Sequence, residues 1–279
     1  MIKDQMPEII DGIKCYAPEL AYSNENYSPE TFDKIYREED KNFWFRSRNS
    51  IISSLVKKII IEKEHVNFLE IGCGTGYVLK GLSQLRNIEL QGSDLYLQGL
   101  KYARKRLPGI ELIQVDAANI PFEKTFDVVG AFDVLEHIEN DRKVMHQVNS
   151  ALRQNGYFII SVPQHPFMWS YLDDMAFHKR RYTRKEIKHK LIESGFKITF
   201  ITSFIFLLFP MMMISRFLKK KKSVRYDVNT QMAELKLPQV INSLFYFIMK
   251  IEELLIRSGL SLPFGGSLIV VARKSDRPT

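Results

Sequence analysis

The sequence predicts a doubly wound α/β fold, in which a mainly parallel sheet carries helices on both faces. From about residue 66 onward, short apolar segments that read as buried strands alternate with amphipathic segments of helical period. A glycine-rich turn, residues 72–76 (GCGTG), directly follows the first of these strands. This alternation favours parallel strands, because the chain returns through a helix between one strand and the next.

Seven strands and the helices between them follow from this pattern. We expect helices at about 77–85, 98–106 and 142–152, the last ended by Gly156, and a further helix that begins at the capping box 183–186 and ends at Gly195. Between strands six and seven the chain reads as largely helical, with one apolar stripe on its last helix: Ile241, Leu244, Phe245, Ile248, Ile251 and Leu255. The strands are expected at 66–71, 88–93, 110–115, 126–132, 157–162, 196–204 and 267–273.

The N-terminal part reads differently. Residues 1–27 show little periodicity and are expected to form a loosely held arm, whereas Pro29 marks a helix start and 42–64 forms a second helix. The resulting division is an N-terminal arm with helices at 1–65, a core at 66–204, a helical apolar insertion at 205–263, and a final strand with its tail at 264–279.

Composition limits the class of protein. The 279 residues are 45% hydrophobic and 26% charged, a globular balance with room for one enlarged α/β domain. The net charge of +8 is partly concentrated at 179–181 and 219–222, clusters that suit phosphates or anionic lipid, or form a solvated basic face. The cysteine count of two and an N-terminus without a signal-peptide pattern predict a cytoplasmic location.

The apolar run 204–214 (FIFLLFPMMMI) complicates that picture. It is shorter than the ~20 residues that cross a bilayer, and Pro210 lies inside it. A core helix, a lid, an interfacial segment and a re-entrant hairpin all fit. Because Arg216 and then four lysines (219–222) follow the run, we expect peripheral membrane contact through 204–222, on the inner face of the membrane.

An acidic residue lies near the end of each of the first four predicted strands, either one residue before the end or directly after it. Glu70, Asp94, Asp116 and Asp133 therefore meet at the carboxyl edge of the sheet, where open α/β folds bind ligands. The glycine spacing is E-x-G-x-G-x-G, and Tyr77 stands where a dinucleotide motif has its third glycine. Each acid taken alone also fits a simple helix cap. Their common register favours a ligand site without a pyrophosphate.

As a set, these motifs resemble those of class I S-adenosylmethionine (SAM)-dependent methyltransferases, over roughly residues 67–162. The resemblance implies the strand order 3-2-1-4-5-7-6 with an antiparallel seventh strand. It also implies SAM as cofactor, with the glycine turn at the methionine part, Asp94 at the ribose, and Asp116 with Ala117 at the adenine. The implied cofactor residues are Glu70, Gly72, Cys73, Gly74, Gly76, Asp94, Leu95, Asp116, Ala117 and Asp133.

Segments 43–48 and 177–183 further resemble a bacterial branch of this superfamily that is often linked to surface-glycan or lipid metabolism. An alcohol acceptor needs a general base, for which His137 and His178 are the candidates. We expect the acceptor to contact a basic-aromatic loop, made of Trp169, Arg180, Arg181 and Tyr182.

We predict no metal site, although Asp133, Glu136 and His137 resemble a segment that binds a divalent metal in some quinone-pathway O-methyltransferases. Nor do we expect a nucleic-acid partner. The predicted acceptor is a small molecule, or a lipid or lipid-linked glycan, methylated on oxygen or nitrogen. A soluble small-molecule enzyme with the insertion as a lid, and a non-enzymatic SAM-binding protein, are the alternatives. Oligomeric state is left open.

Overall fold

A computed structural model describes residues 6–22, 29–219 and 237–275. The strands are β1 Glu8–Ile10, β2 Ile13–Cys15, β3 Val66–Ile71, β4 Ile88–Asp94, β5 Glu111–Gln114, β6 Phe126–Phe132, β7 Leu152–Pro163, β8 Phe196–Phe204 and β9 Ser267–Lys274. The α-helices are α1 Pro29–Glu38, α2 Phe43–Ile60, α3 Tyr77–Leu82, α4 Leu97–Arg106, α5 Asp141–Ala151, α6 Tyr171–Met175, α7 Arg184–Glu193, α8 Phe209–Lys219 and α9 Gln239–Arg257.

All nine described strands form one sheet, in the order β1-β2-β5-β4-β3-β6-β7-β9-β8. Strand β3 pairs in parallel with β4 and β6, and β9 runs antiparallel between β7 and β8. Numbered from β3, the seven-stranded part has the order 3-2-1-4-5-7-6, so the predicted doubly wound fold is confirmed. Apolar side chains fill both faces of the sheet: Phe68 belongs to one core cluster and its neighbour Leu69 to the other.

The prediction of a loose N-terminal arm was wrong for the described part of that segment. Strands β1 and β2 form a hairpin, and β2 adds to the sheet in parallel with β5. Asp11 and Gly12 both have positive φ, at 51° and 73°, as a two-residue hairpin turn requires. The Asp-Gly pair was a usable signal, but strands of three residues are too short to show a period.

The prediction that α5 ends at Gly156 was also wrong. Helix α5 ends at Ala151, and Leu152 already has extended backbone and begins β7. The register between β6 and β7 jumps there, from Phe126 opposite Leu152 to Val128 opposite Tyr157. The chain therefore absorbs its extra residues inside an irregular strand rather than in a loop after the helix.

Helices α8 and α9 lie between the last two strands along the chain. Pro210 occupies the first turn of α8, where a missing N–H costs nothing, so it starts this helix rather than interrupting one. Before it, the buried carboxylate of Glu252 on α9 accepts the backbone N–H groups of Phe206 and Leu207 at 2.8 and 3.0 Å. No helix among the described residues combines the length and the apolar character needed to span a bilayer.

The predicted apolar stripe of α9 is only partly the buried one. Phe245 and Ile248 of that stripe pack partly buried against the core, while Leu244 and Ile251 are 54% and 44% exposed. The fully buried apolar residues of the helix, Met249 and Ile256, lie outside the predicted stripe. The helix packs against α2, where the rings of Phe43 and Phe245 meet edge to face at 5.3 Å. Helix α9 thus has a second apolar face, directed outward.

Candidate active site

The glycine turn after β3 forms the floor of a cavity. Gly72, Gly74 and Gly76 all have positive φ, which favours glycine. A Cβ atom at Gly72 would lie 2.5 Å from Val134, and one at Gly76 would lie 3.0 Å from Ala103 on α4. At Gly74 nothing lies within 4 Å of that position, so the backbone there is open to a ligand.

Asp94, at the end of β4, holds this turn in place. Its carboxylate accepts the backbone N–H of Gly74 at 2.8 Å and that of Tyr96 at 2.9 Å. Burial raises the pKa of Asp94, and these backbone hydrogen bonds oppose the rise. Each oxygen keeps a further lone pair, so the carboxylate can still accept a ligand hydroxyl.

The cavity has a volume of about 320 Å³ and opens at the carboxyl edge of the sheet. Gly76 is the one predicted cofactor residue outside its wall, because it packs against α4 instead. The structure brings the other predicted cofactor residues together there: Glu70, Gly72, Cys73, Gly74, Asp94, Leu95, Asp116, Ala117 and Asp133.

Two of these acids also have partners within the protein. Asp133 pairs with Arg48 of α2 at 2.6 Å, and Arg48 also donates to the carbonyl oxygen of Phe132 at 2.7 Å. Asp116 accepts the N–H of Ala118 at 2.9 Å and the side-chain amide of Asn119 at 2.7 Å, as a local cap does. Capping and cavity lining are thus combined in one side chain.

Helices α1 and α2 close the cavity from the other side, and the sequence did not assign this role to them. Glu39, directly after α1, accepts from Thr75 in the glycine turn and from Arg106 of α4, at 2.5 and 2.7 Å. Trp44 and Phe45 of α2 contribute to the aromatic part of the wall. The resemblance of 43–48 to a family segment was the only available signal, because sequence distance gives no hint that α2 folds back over the sheet edge.

A second cavity of about 580 Å³ adjoins the first, and Trp44 and Asp133 line both. One side is apolar and comes from α8, α9 and the turn before α8, through Ile205, Leu208, Met211, Met212 and Phe245. The wall also carries charged and polar groups, Glu136, His178, Arg181 and Arg216, the last of them on α8 itself. A ligand with an apolar part and a polar end matches this division.

Both candidate histidines lie at the junction of the two cavities. His137 lines the first and His178 the second, and their rings meet edge to face at 4.8 Å. Burial lowers the pKa of His137 to about 3, so this ring is neutral at physiological pH. The Nδ1 atom of His178 lies 2.9 Å from a carboxylate oxygen of Asp173.

Asp173, which the sequence analysis missed, joins several cations. Its carboxylate accepts from Nε of Arg181 at 2.7 Å and lies 3.9 Å from Arg216 on α8. Burial alone would raise its pKa, but the hydrogen bond with His178 and the charge of Arg181 lower the pKa to about 2. A permanent carboxylate at Nδ1 of His178 fixes the ring and leaves Nε2 to act on a ligand.

Glu136 is fully buried beside these rings. Burial, together with the charge of Asp133, raises the pKa of its carboxyl group well above the ordinary value. Glu136, His137 and His178 place one ligand atom each within 4.8 Å of one another, a set that has the composition of a metal site. Asp133, which the sequence analysis grouped with Glu136 and His137 as resembling a metal-binding segment, is paired with Arg48 instead.

Of the four residues predicted to contact the acceptor, only Arg181 lines the second cavity. Tyr182 is fully buried and donates its hydroxyl hydrogen to Asp141 at 2.8 Å, and Arg180 lies 3.5 Å from the same carboxylate. The indole N–H of Trp169 donates to Asp174 at 3.0 Å. Trp169, Arg180 and Tyr182 thus make contacts within the protein and do not line the second cavity.

The comparisons with known proteins agree with this architecture. Residues 36–200 match the model of a methyltransferase domain family. A Mycobacterium tuberculosis protein named probable S-adenosylmethionine-dependent methyltransferase is 27% identical over 161 residues, which are 56% of this chain and 56% of that protein. A phthiotriol/phenolphthiotriol dimycocerosates methyltransferase of the same species is 35% identical over 94 residues, 32% of this chain and 35% of that one.

Among solved structures, a Haemonchus contortus phosphoethanolamine N-methyltransferase 2 in complex with S-adenosyl-L-methionine has the same fold. It superposes with a TM-score of 0.60 at 16% identity, over 91% of this chain and 59% of that one. The chain spans about half the length of the curated relatives that it matches first. Fold, glycine turn and family match together show that the chain belongs to the SAM-dependent methyltransferases.

Proposed function

We propose that the protein transfers the methyl group of SAM, bound in the first cavity, to an oxygen or nitrogen of an acceptor bound in the second. The observation that carries this proposal is the shared wall: Trp44 and Asp133 line both cavities. When bound, SAM supplies an electrophilic methyl group, and much of the acceleration then comes from alignment of the acceptor atom with it. Two adjoining cavities supply that alignment.

The residues of the first cavity fit SAM. The open backbone at Gly74 suits close approach of the methionine part, and the buried Asp94 carboxylate suits the ribose hydroxyls. Ala117, with its small side chain, leaves room for the adenine ring beside Asp116. The buried acid Glu70 suits a ligand that carries positive charge, because a cation compensates its burial.

In this proposal His178 is the general base and Asp173 its positioning residue. Nε2 of His178 takes the proton of the acceptor hydroxyl or ammonium group, and the Asp173 carboxylate stabilises the imidazolium that results. His137, with its strongly lowered pKa, is a poor proton acceptor and acts as a neutral wall between the two cavities. The two histidines predicted from sequence therefore receive different roles.

The mixed apolar and charged lining of the second cavity supports a lipid-like acceptor. Its apolar wall suits a hydrocarbon part, and Arg181 and Arg216 suit a phosphate or carboxylate at the polar end. A lipid or a lipid-linked glycan has this build, and one partial relative is named as a phthiotriol/phenolphthiotriol dimycocerosates methyltransferase. Contact of 204–222 with a membrane surface would bring such an acceptor to the cavity. Closure of α8 and α9 over a small soluble acceptor is the second arrangement that this cavity allows.

A label-transfer experiment tests the proposal. Purified protein is incubated with SAM carrying a labelled methyl group and, separately, with a bacterial total lipid extract and with a lipid-free metabolite extract. We expect label in the lipid fraction. His178→Ala should lower that transfer at least 100-fold, the lower end of what general bases contribute, with SAM affinity in calorimetry unchanged. His189→Ala, at a 67% exposed side chain on α7, is the matched control.

Label in the metabolite fraction alone would replace the lipid acceptor with a soluble one. If SAM binds but neither extract is labelled, the protein is a SAM-binding protein without transferase activity. Full transfer by His178→Ala would remove the proposed base while leaving the reaction in place.

A further inference from the structure

The outward side of α9 is a row of large apolar side chains. Val240, Leu244, Phe247, Ile251 and Leu254 are 80%, 54%, 65%, 44% and 64% exposed. Their spacing of four, three, four and three residues puts them on one face of the helix. The opposite face is packed on the protein, with Met249, Glu252 and Ile256 buried. An apolar row of this length on a solvent-exposed surface indicates an interaction site.

Helix α8 carries a second row of exposed apolar side chains. Met211, Ile214 and Phe217 follow one another at three-residue spacing and are 48%, 57% and 52% exposed. Met211 also lines the second cavity, as does Phe245 on α9. We call the exposed apolar side chains of α8 and α9 the outer face. The outer face thus borders the cavity that we assign to the acceptor.

The charges around the outer face are positive. Helix α8 has no acidic residue, and the two acids of α9, Glu252 and Glu253, are 0% and 4% exposed. Lys250 and Arg257 flank the apolar row, and both pair with the buried Glu253. The sequence from 219 to 236, which joins the two helices, has six basic residues (Lys219 to Lys222, Arg225 and Lys236) against two acidic ones.

We propose that the outer face docks on an anionic lipid bilayer. The purpose of docking, access of a lipid acceptor to the second cavity, rests on the proposed function. The docking itself is argued from the exposed apolar side chains and the flanking cations alone. Apolar side chains enter the acyl boundary, while flanking Lys and Arg residues meet anionic headgroups. A second copy of the chain fits less well, because paired α9 helices would bring their flanking cations Lys250 and Arg257 together.

Vesicle sedimentation tests the docking surface without knowledge of the acceptor. The full chain is mixed with vesicles of phosphatidylcholine alone, and with vesicles of equal parts phosphatidylcholine and phosphatidylglycerol. We expect binding to the anionic vesicles, weakened by salt. The double variant Phe247→Glu/Leu254→Glu should weaken this binding at least tenfold. Ile61→Glu, at a 70% exposed apolar side chain at the end of α2, should bind as the unchanged protein does.

SAM calorimetry and thermal unfolding are measured on every variant. Unchanged SAM affinity shows that the double variant is folded and separates failure of docking from failure of the proposed function. Absence of binding to anionic vesicles by the unchanged protein overturns the docking proposal. A dimer in solution that Phe247→Glu/Leu254→Glu converts to a monomer assigns the outer face to a second copy. If Ile61→Glu weakens binding to anionic vesicles as much as the double variant does, the docking proposal is also refuted.

Discussion

Asp94→Ala gives the most direct test of the cofactor site. If the buried carboxylate accepts hydrogen bonds from both ribose hydroxyls, its removal deletes two charge-assisted bonds of about 1.5–3 kcal/mol each. The combined loss is about 3–6 kcal/mol, and because about 1.4 kcal/mol corresponds to a tenfold change, the Kd for SAM should rise by about two to four powers of ten. The variant also releases the N–H groups of Gly74 and Tyr96, which loosens the glycine turn and adds to the loss.

Calorimetric titration with SAM measures the effect, and Asp127→Ala is a matched control. The Asp127 carboxylate also accepts a backbone N–H, from Asn67 at 3.0 Å, and pairs with Arg153 at 2.7 Å, but it lies at the opposite end of the sheet. That variant should lower the temperature of unfolding and leave SAM affinity unchanged. If Asp94→Ala retains its fold and binds SAM within about threefold of the unchanged protein, the carboxylate does not hold the ribose and the reasoning fails.

Three further predictions concern the junction of the cavities. Asp173→Asn should lower turnover about 10- to 100-fold with SAM affinity unchanged, because the imidazolium of His178 loses its counter-charge; kcat against pH measures it, and an unchanged profile would contradict the role. Burial raises the pKa of Glu136 above 4.5, so the contribution of this group to stability is present below pH 4.5 and is lost as pH rises toward the folded pKa. Glu136→Gln should therefore raise the unfolding temperature more at pH 8 than at pH 5. An equal rise of the unfolding temperature at both pH values would count against this burial effect. With a histidine base, methyl transfer should persist in EDTA; activity lost to the chelator and restored by Mg²⁺ or Mn²⁺ would place a cation at Glu136, His137 and His178 instead.

The sequence was informative where function and fold depend on local pattern. Strands β3, β6 and β8 begin and end at the predicted residues. Polar or glycine residues flank β3 and β6 on both sides, and Gly195 directly precedes β8. The Thr183 side chain accepts the N–H of Glu186, as the capping box predicts. The acids at the strand ends share one cavity because parallel topology fixes where strands end, whatever the details of packing.

Tertiary contacts account for what the sequence analysis missed. Helix α9 is apolar on two sides, so periodicity alone does not tell which row is buried, and the prediction mixed members of both. Tyr182 looked like a recognition residue because it follows two arginines, yet its burial depends on Asp141, forty-one positions earlier. Asp173 had no distinguishing motif; only the folded chain brings it to His178 and Arg181.

The triple contact of Asp173 ties chemistry to movement. The same carboxylate aligns the imidazole of His178 and lies within 3.9 Å of Arg216 on α8, which also donates to Ser170 at the start of α6. In the proposed mechanism, a displacement of α8, whether by an arriving ligand or by a membrane surface, would therefore act on the carboxylate that orients the proposed base. The orientation of the His178 imidazole and the position of α8 are therefore coupled through one carboxylate.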